Sequence, residues 1–256
     1  MLKKVLPLFL LAALAVGLVG CSTTNSAQAA APTTDAFYGG RGYGRGGPQG
    51  GGAVAPQEDF GSSALSLPAS DLSDEEAQGL LYMREEEKLA HDVYITLYNQ
   101  WHSQIFSNIS RSEQMHMDMV LGLIEKYGLD DPAAGKGLGE FTNPELQALY
   151  DKLVAQGSQS LADALKVGAA IEEIDILDLQ SRLAQTDNAD IQQVYQNLMA
   201  GSENHLRAFT RTLEAETGET YQPQYLSQDA YDAIISSAPS FGGGYGGGRG
   251  RGGCDH

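Results

Sequence analysis

The chain has 256 residues and a formal net charge of −17, from 33 acidic and 16 basic side chains. This excess of negative charge argues against nucleic acids and anionic lipid surfaces as partners, and it is compatible with the attraction of cations. No phosphate loop, nucleotide-binding fingerprint, Ser-His-Asp order or Cys-His pair is visible, so the common signatures of nucleotide binding and nucleophilic catalysis are absent from the sequence.

Residues 1–20 are predicted to be a secretory signal, because two lysines precede an apolar run too short to be a convincing membrane span. The run ends in Leu-Val-Gly before Cys21, which resembles a bacterial lipobox and implies cleavage before Cys21 and lipidation of that cysteine. A plain signal peptide with an incidental cysteine is the alternative. We therefore expect a secreted lipoprotein of the cell envelope, in the outer membrane or periplasm. Its only membrane contact would be the lipid anchor, and Cys254 would have no disulfide partner within the chain.

Two segments of biased composition flank the middle of the chain. Residues 21–70 are rich in Gly, Ala, Ser and Pro, and residues 226–256 are expected to hold a short helix and a Gly-rich disordered tail. Such segments bury too little apolar surface to offset the loss of chain entropy, so we predict flexible tethers. Arg-Gly tracts with tyrosine can bind single-stranded nucleic acid, but a secreted acidic protein makes the tether the simpler interpretation.

The residues from 71 to 225 are predicted to form one helical domain, because their apolar side chains recur with helical periodicity. The first expected helix begins after Ser73. The other three are expected to run from Ser103 or Ser107 to Tyr127, from Ser158 to Ala184, and from Asp187 or Asn188 to Thr217. A short helix opened by Asn143 and Pro144 is expected in the long connection between the second and third. The fold class is therefore all-α, an antiparallel four-helix bundle with one long crossover between helices 2 and 3, the ferritin-like arrangement.

Each predicted long helix carries a metal-competent side chain at mid-length within its apolar stripe. These side chains belong to Glu87, Glu113 with His116, Glu172 and His205. At a rise of about 1.5 Å per residue they fall near one level of an antiparallel bundle. A buried carboxylate is unfavourable unless it is paired or bound to a metal, so the pattern predicts a metal site. Glu85 and Glu86 are expected to be solvated.

The motif Glu113-Gln114-Met115-His116 resembles the Glu-x-x-His pairs of ferritin-like di-iron proteins, which use two such pairs and one further Glu from each of two other helices. Glu87, Ala90 and Tyr94 resemble the first-helix pattern of rubrerythrin-type members. The stretches that begin at Tyr82, Ser112 and Asn204 are similar to an uncharacterised prokaryotic family, a ferritin-like domain of unknown function. The resemblance covers residues 72–217 and implies the ferritin-like fold.

The resemblance also implies a metal site that holds iron, as two ions or one, or manganese. The ligands would be Glu87, Glu113, His116, Glu172 and His205. The implied activity is that of an oxidoreductase that acts on Fe(II), dioxygen or peroxide, with Tyr94 as a catalytic side chain or as part of the core. Asp175, three residues after Glu172, is a candidate supporting residue. One departure from the pattern stands out: the fourth helix reads Ser202-Glu203-Asn204-His205, so its Glu-x-x-His pair lacks the first Glu.

Several alternatives remain open from the sequence. Glu113 also fits a capping box with Ser110, which would place it at a helix start. His91 is interpreted as a residue at the rim rather than a further ligand, and the closely spaced methionines of the second helix as packing residues. A non-catalytic scaffold of the cell envelope, with buried acids paired to arginines, and a metal-binding protein without turnover are the alternative functions. A homodimer is possible.

Overall fold

The structure is a computed structural model that describes residues 62–239. The predicted secretory signal, the lipidation site at Cys21, most of the predicted linker and the terminal Gly-rich tail with Cys254 lie outside these residues. The described part is entirely helical, with seven helices and no strand, and none of its helices is long and apolar enough to span a membrane. The helices are α1 (Ser62–Leu65), α2 (Asp74–Trp101), α3 (Gln104–Lys126), α4 (Pro144–Gly157), α5 (Leu161–Leu183), α6 (Ala189–Thr217) and α7 (Gln228–Ser236).

The helix ends follow local sequence signals. Ser73 and Glu76 form a capping box at the start of α2, and the side chain of Asn143 caps α4 just before Pro144. Gly218 ends α6 in the left-handed conformation that glycine adopts without strain. Helix α3 begins at Gln104, so Glu113 lies well inside it and the alternative interpretation as a capping residue is wrong.

The four long helices α2, α3, α5 and α6 share two apolar clusters. The larger cluster includes Leu97, Phe106, Leu165 and Phe209, and the smaller cluster includes Leu80, Leu123, Leu179 and Leu198. Helices α2 and α6 contact the smaller cluster in their N-terminal parts and the larger cluster in their C-terminal parts, whereas α3 and α5 contact them in the reverse order. Within the pairs α2–α3 and α5–α6 the two helices therefore run in opposite directions. The short helix α4 packs against α2 and α5.

A run of charged residues on α2 is buried, contrary to the expectation that Glu85 and Glu86 are solvated. Their exposed fractions are only 3% and 5%. The connection between α3 and α4 covers this face: Glu85 accepts hydrogen bonds from the backbone N–H groups of Thr142 and Asn143. The adjacent Arg84 forms an ion pair at 3.0 Å with Asp131 of the same connection. Arg84 and Glu85 therefore anchor the connection between α3 and α4.

The folded part extends beyond the predicted domain limits of 71 and 225. Ala64 of α1, within the predicted linker, is fully buried in the smaller apolar cluster. At the other end, the buried carboxylate of Glu173 accepts hydrogen bonds from the hydroxyl of Tyr221 and from the backbone N–H groups of residues 224–226. Arg207 Nε donates at 2.8 Å to the carbonyl of Ile234 in α7. Both ends of the described part of the chain therefore pack against the long helices.

Candidate metal centre

The five side chains singled out in the sequence meet in a polar layer between the two apolar clusters. All are buried, and the most exposed of them, His205, is only 8% exposed. Two groups of three could each surround one ion, with one donor atom per residue and all three donors within 4.8 Å of one another. The first group is Glu87, Glu113 and His116, and the second is Glu113, Glu172 and His205. Glu113 belongs to both groups.

The two oxygens of Glu113 face two different imidazoles. Its Oε2 lies 2.8 Å from Nδ1 of His116, and its Oε1 lies 2.8 Å from Nδ1 of His205. The other oxygen neighbours of these nitrogens are Glu87 Oε2, 3.2 Å from His116, and Glu172 Oε2, 3.5 Å from His205. The two rings stack with their centroids 5.5 Å apart. Glu113 would therefore be shared if each of the two groups held an ion.

Contacts within α3 and between α3 and α6 explain how the two imidazoles are oriented. Glu113 and His116 share a face of α3 because residues three apart on a helix are neighbours. Gly201 leaves room for the His116 ring, since a Cβ atom there would lie 2.5 Å from Nε2. Nε2 of His205 lies 2.9 Å from the hydroxyl of Ser112. A hydrogen bond from the outer ring nitrogen is the usual means by which a metal-binding histidine is held with its other nitrogen inward.

The pKa values follow from burial opposed by ion pairing. Burial alone would lower the pKa of His116, but Glu113 and Glu87 hold it well above its usual value. In the same way Glu113 and Glu172 raise the pKa of His205 to about 10 against the effect of burial. Glu113 has a lowered pKa despite its burial because both imidazoles face it, whereas burial raises the pKa of Glu87 to about 7. Without metal, both imidazoles are therefore positively charged at neutral pH, and a bound cation would displace the proton from the ring nitrogen that binds it.

Several buried polar atoms around the layer lack a well-aligned hydrogen bond. They are Glu87 Oε1, Glu113 Oε1, His205 Nδ1, Asp175 Oδ1 and both carboxylate oxygens of Glu86. Buried polar atoms are nearly always paired, so such a group needs an explanation. Donors about 2.0–2.2 Å from one ion would stand roughly 3 Å apart, which is close to the spacings around Glu113. Carboxylate and imidazole donors suit iron and manganese, and the residues present therefore fit such an ion.

Tyr94 contacts the layer directly. Its hydroxyl donates a hydrogen bond of 2.6 Å to Oε1 of Glu172. The ring is fully buried beside Phe106 and Phe209, with centroid distances of 6.3 and 5.1 Å. Burial and the neighbouring Glu172 raise the pKa of the Tyr94 hydroxyl well above its usual value, so the hydroxyl keeps its proton. The residue thus belongs both to the core and to the surroundings of a candidate ligand.

Asp175 and Ser202 form a further contact beside the layer. Ser202 is fully buried, and its hydroxyl donates to Oδ2 of Asp175 across the interface between α6 and α5. Burial and the charge of Glu87 raise the pKa of Asp175 well above its usual value. Asp175 therefore lies beside the candidate ligands, where the sequence had suggested a supporting residue. No pattern in the sequence indicated its contact with Ser202.

A narrow cavity reaches the polar layer between α2, α4 and α5. Its lining includes the acidic residues Glu86, Glu87, Glu113, Glu172 and Asp175. Leu149 and Leu153 of α4, with apolar residues of α2 and α5, complete the lining. The cavity is about 10 Å³ in volume, close to the minimum that holds one water molecule. Only a very small molecule would fit without movement of α4.

Other sequence candidates lie outside the layer. His91 is half-buried and pairs through Nδ1 with Asp92 at 2.9 Å, and it is not among the donor groups found in the described residues. Met115 is 59% exposed while Met117 is buried, so the methionines do not form a cluster of sulfur donors. Glu86, Ser112 and Gly201 were missed as neighbours of the site. Their roles depend on contacts with other helices, for which the sequence pattern holds no signal.

Comparison with known proteins gives three concordant matches. The family described as "Uncharacterized protein domain (DUF2202)" matches residues 76–238. The uncharacterized protein MJ0754 of Methanocaldococcus jannaschii is 56% identical over 173 residues, which are 68% of this chain and 93% of that protein. The crystal structure of hypothetical protein MJ0754 is similar with a TM-score of 0.67 and 55% identity, over 68% of this chain and 99% of the solved one. The chain therefore belongs to the DUF2202 family of uncharacterized protein domains.

Proposed function

We propose that α2, α3, α5 and α6 form an antiparallel ferritin-like four-helix bundle, with the connection that contains α4 as its one long crossover. Two observations support this arrangement. The chain passes from α2 to α3, and from α5 to α6, through short links, and each such pair reaches the two apolar clusters in opposite order. Long crossovers between the second and third helices are characteristic of ferritin-like folds.

We further propose that the polar layer holds two divalent ions, iron or alternatively manganese, and that the protein is an oxidoreductase acting on Fe(II), dioxygen or peroxide. The observation that carries the proposal is the position of Glu113, whose two oxygens face His116 and His205 in two overlapping groups of donors. Bound iron would supply the electron exchange with the oxidant. The sequence expectation of a lipid anchor at Cys21 would place this activity in the cell envelope.

The protein's own residues would prepare the site for metal. Glu87, Glu113, His116, Glu172 and His205 would bind the ions, and the two apolar clusters would exclude bulk water from them. Ser112 would keep His205 Nδ1 turned inward. The Tyr94 hydroxyl would hold a proton 2.6 Å from Glu172 Oε1 and fix the orientation of that carboxylate.

One observation favours a different function, a scaffold stabilised by a buried charge network. The imidazoles lie within 2.8 Å of Glu113 oxygens, so protonated histidines and carboxylates would neutralise each other in part without metal. The unpaired atoms of Glu87 and Asp175 argue against this reading, since a network built for stability would satisfy them. Metal content separates the two functions.

The test is metal analysis of the full chain, purified without chelators or a histidine tag and reloaded anaerobically with Fe(II). We expect two irons per chain and an oxo-bridge absorption band on exposure to air. Glu113→Gln should lose most of the iron because Glu113 serves both groups, whereas the matched control Glu125→Gln, on the exposed face of α3, should keep it. If folded Glu113→Gln kept two irons, or the wild-type chain bound none, the proposal would be wrong.

A further inference from the structure

The missing glutamate of α6 leaves the candidate centre one carboxylate short. Ser202 occupies the position three residues before His205, where a second Glu-x-x-His pair would have its Glu. A serine hydroxyl is too short to take that role, but it donates a hydrogen bond to Asp175 Oδ2 from the neighbouring helix α5. We propose that Asp175, positioned by Ser202, supplies the carboxylate that α6 lacks and completes the ligand set for two ions. This inference rests on the proposed metal centre.

The placement of Asp175 supports a role toward a cation. It lies three residues after Glu172, so both side chains share a face of α5. It is only 6% exposed, and it lines the same narrow cavity as Glu87, Glu113 and Glu172. Ser202 holds Oδ2, while Oδ1 is buried without any hydrogen-bond partner. An unpaired buried carboxylate oxygen is costly unless a cation meets it, and Oδ1 is therefore the atom available to a metal.

The charge balance points the same way. Glu87, Glu113 and Glu172 bring a charge of −3, against +4 for two divalent ions, and Asp175 would bring the total to −4. With it the donors are four carboxylates and two imidazoles, the same composition that two Glu-x-x-His pairs and two single Glu residues provide. Net neutrality is important in a layer that bulk water does not reach, because an uncompensated buried charge is strongly unfavourable.

In this arrangement Ser202 is a positioning residue rather than a ligand. Its hydroxyl lies within hydrogen-bond distance of both Asp175 Oδ2 and the carbonyl of Leu198, at 3.0 Å from the latter. The hydroxyl therefore links the carboxylate of α5 to the backbone of α6 about two turns before His205. The substitution of serine for glutamate would then relocate the carboxylate from one helix to its neighbour and keep the number of carboxylates unchanged.

The test uses Mn(II) binding by the full chain, followed by metal analysis and electron paramagnetic resonance. We expect two Mn(II) ions per wild-type chain, with the spectrum of an exchange-coupled pair. Asp175→Asn should bind one ion and give the six-line signal of an isolated Mn(II). Ser202→Ala should keep both sites but weaken the second by about tenfold, the size of effect expected for an outer hydrogen bond. Asp118→Asn, at an exposed position of α3, is the matched control and should resemble wild type.

A relocation variant gives an independent readout. Asp175→Ala combined with Ser202→Glu returns the carboxylate to α6 and should restore two coupled ions. If Asp175→Asn fails to fold, as judged by far-UV circular dichroism, this double variant decides: two ions support the inference, and one ion in a folded chain overturns it. Two coupled ions in Asp175→Asn would overturn it while leaving the proposed centre intact. A wild-type chain that bound neither Mn(II) nor Fe(II) would overturn both.

Discussion

The substitution Gly201→Ala offers a sharp test of how His116 is held. Gly201 lies in the middle of α6, where an alanine would ordinarily favour the helix by about 1 kcal/mol. Its Cβ atom, however, would lie 2.5 Å from Nε2 and 2.7 Å from Cε1 of His116. An ordinary contact begins near 3.4 Å, so the ring must retreat by about 0.9 Å, the difference between 3.4 and 2.5 Å.

We expect the substitution to change the stability of the protein and its metal affinity to different extents. Overpacking in a well-packed interior costs about 1–3 kcal/mol, and the gain in helix propensity offsets part of it. We therefore expect the free energy of unfolding of the metal-free protein to fall by at most about 2 kcal/mol. Metal binding should suffer more, because a shift of about 1 Å in one ligand spoils a preorganised site. We expect the affinity for Mn(II) to fall by about tenfold or more.

The assay is Mn(II) titration by calorimetry, beside urea unfolding of the metal-free chain. Gly79→Ala on α2 is the matched control, since it also exchanges a helical glycine, but the nearest atoms to its Cβ would belong to Arg182 and the Tyr195 hydroxyl, away from the polar layer. It should leave metal affinity unchanged. Wild-type affinity in a folded Gly201→Ala variant would refute the reasoning that Gly201 sets the position of the His116 ring.

Two further predictions concern pH and access. The raised pKa of His205, about 10, gives stability that is fully present below its unfolded value near 6.5 and lost as pH rises towards 10. The raised pKa of Glu87, about 7, also gives stability that is lost as pH rises, in this case from the unfolded pKa of about 4.3 to pH 7. Glu113, whose pKa is lowered, stays ionised throughout this range. Thermal melts of metal-free protein should therefore show lower stability at pH 9 than at pH 6, and Mn(II) affinity should rise over that range; melting temperatures that increase with pH in a chelator would contradict this. Leu149→Trp, which adds volume to the α4 lining of the cavity, should slow the air oxidation of bound Fe(II) several-fold in stopped-flow absorbance without changing iron content, whereas Leu177→Trp at an exposed position should have no effect.

The sequence predicted the helices and the clustered residues because both depend on local periodicity. The predicted helix start at Ser103 keeps Glu113 inside the helix, and the structure agrees, since α3 begins at Gln104. The burial of Glu85 was not predictable, because it depends on backbone N–H groups 57 and 58 residues further along the chain. The contact of Ser202 with Asp175 likewise joins two helices whose relative rotation no single-helix pattern specifies.

The same limit applies at the ends of the domain. α1 is a single turn within a stretch of linker-like composition, and its burial depends on a few contacts such as that of Ala64. Composition averages over too many residues to detect a single buried turn. Glu173 is rotated by about 100° from Glu172 around α5, yet its carboxylate holds the segment that follows α6. Rotation off one face therefore did not mean exposure to solvent.

The polar layer between the two apolar clusters has a consequence for the lifetime of the protein. In most helical domains the middle of each helix is the section most resistant to opening, and the ends fray first. Here the middle carries the buried charges, so a chain without metal would have its weakest section at its centre. An ion present at about 100 times its dissociation constant would add about 2.7 kcal/mol to the stability of the folded state. If the centre holds metal as proposed, the supply of that metal would govern how long each molecule survives proteolysis, and the abundance of the protein would follow metal availability without any change in its synthesis.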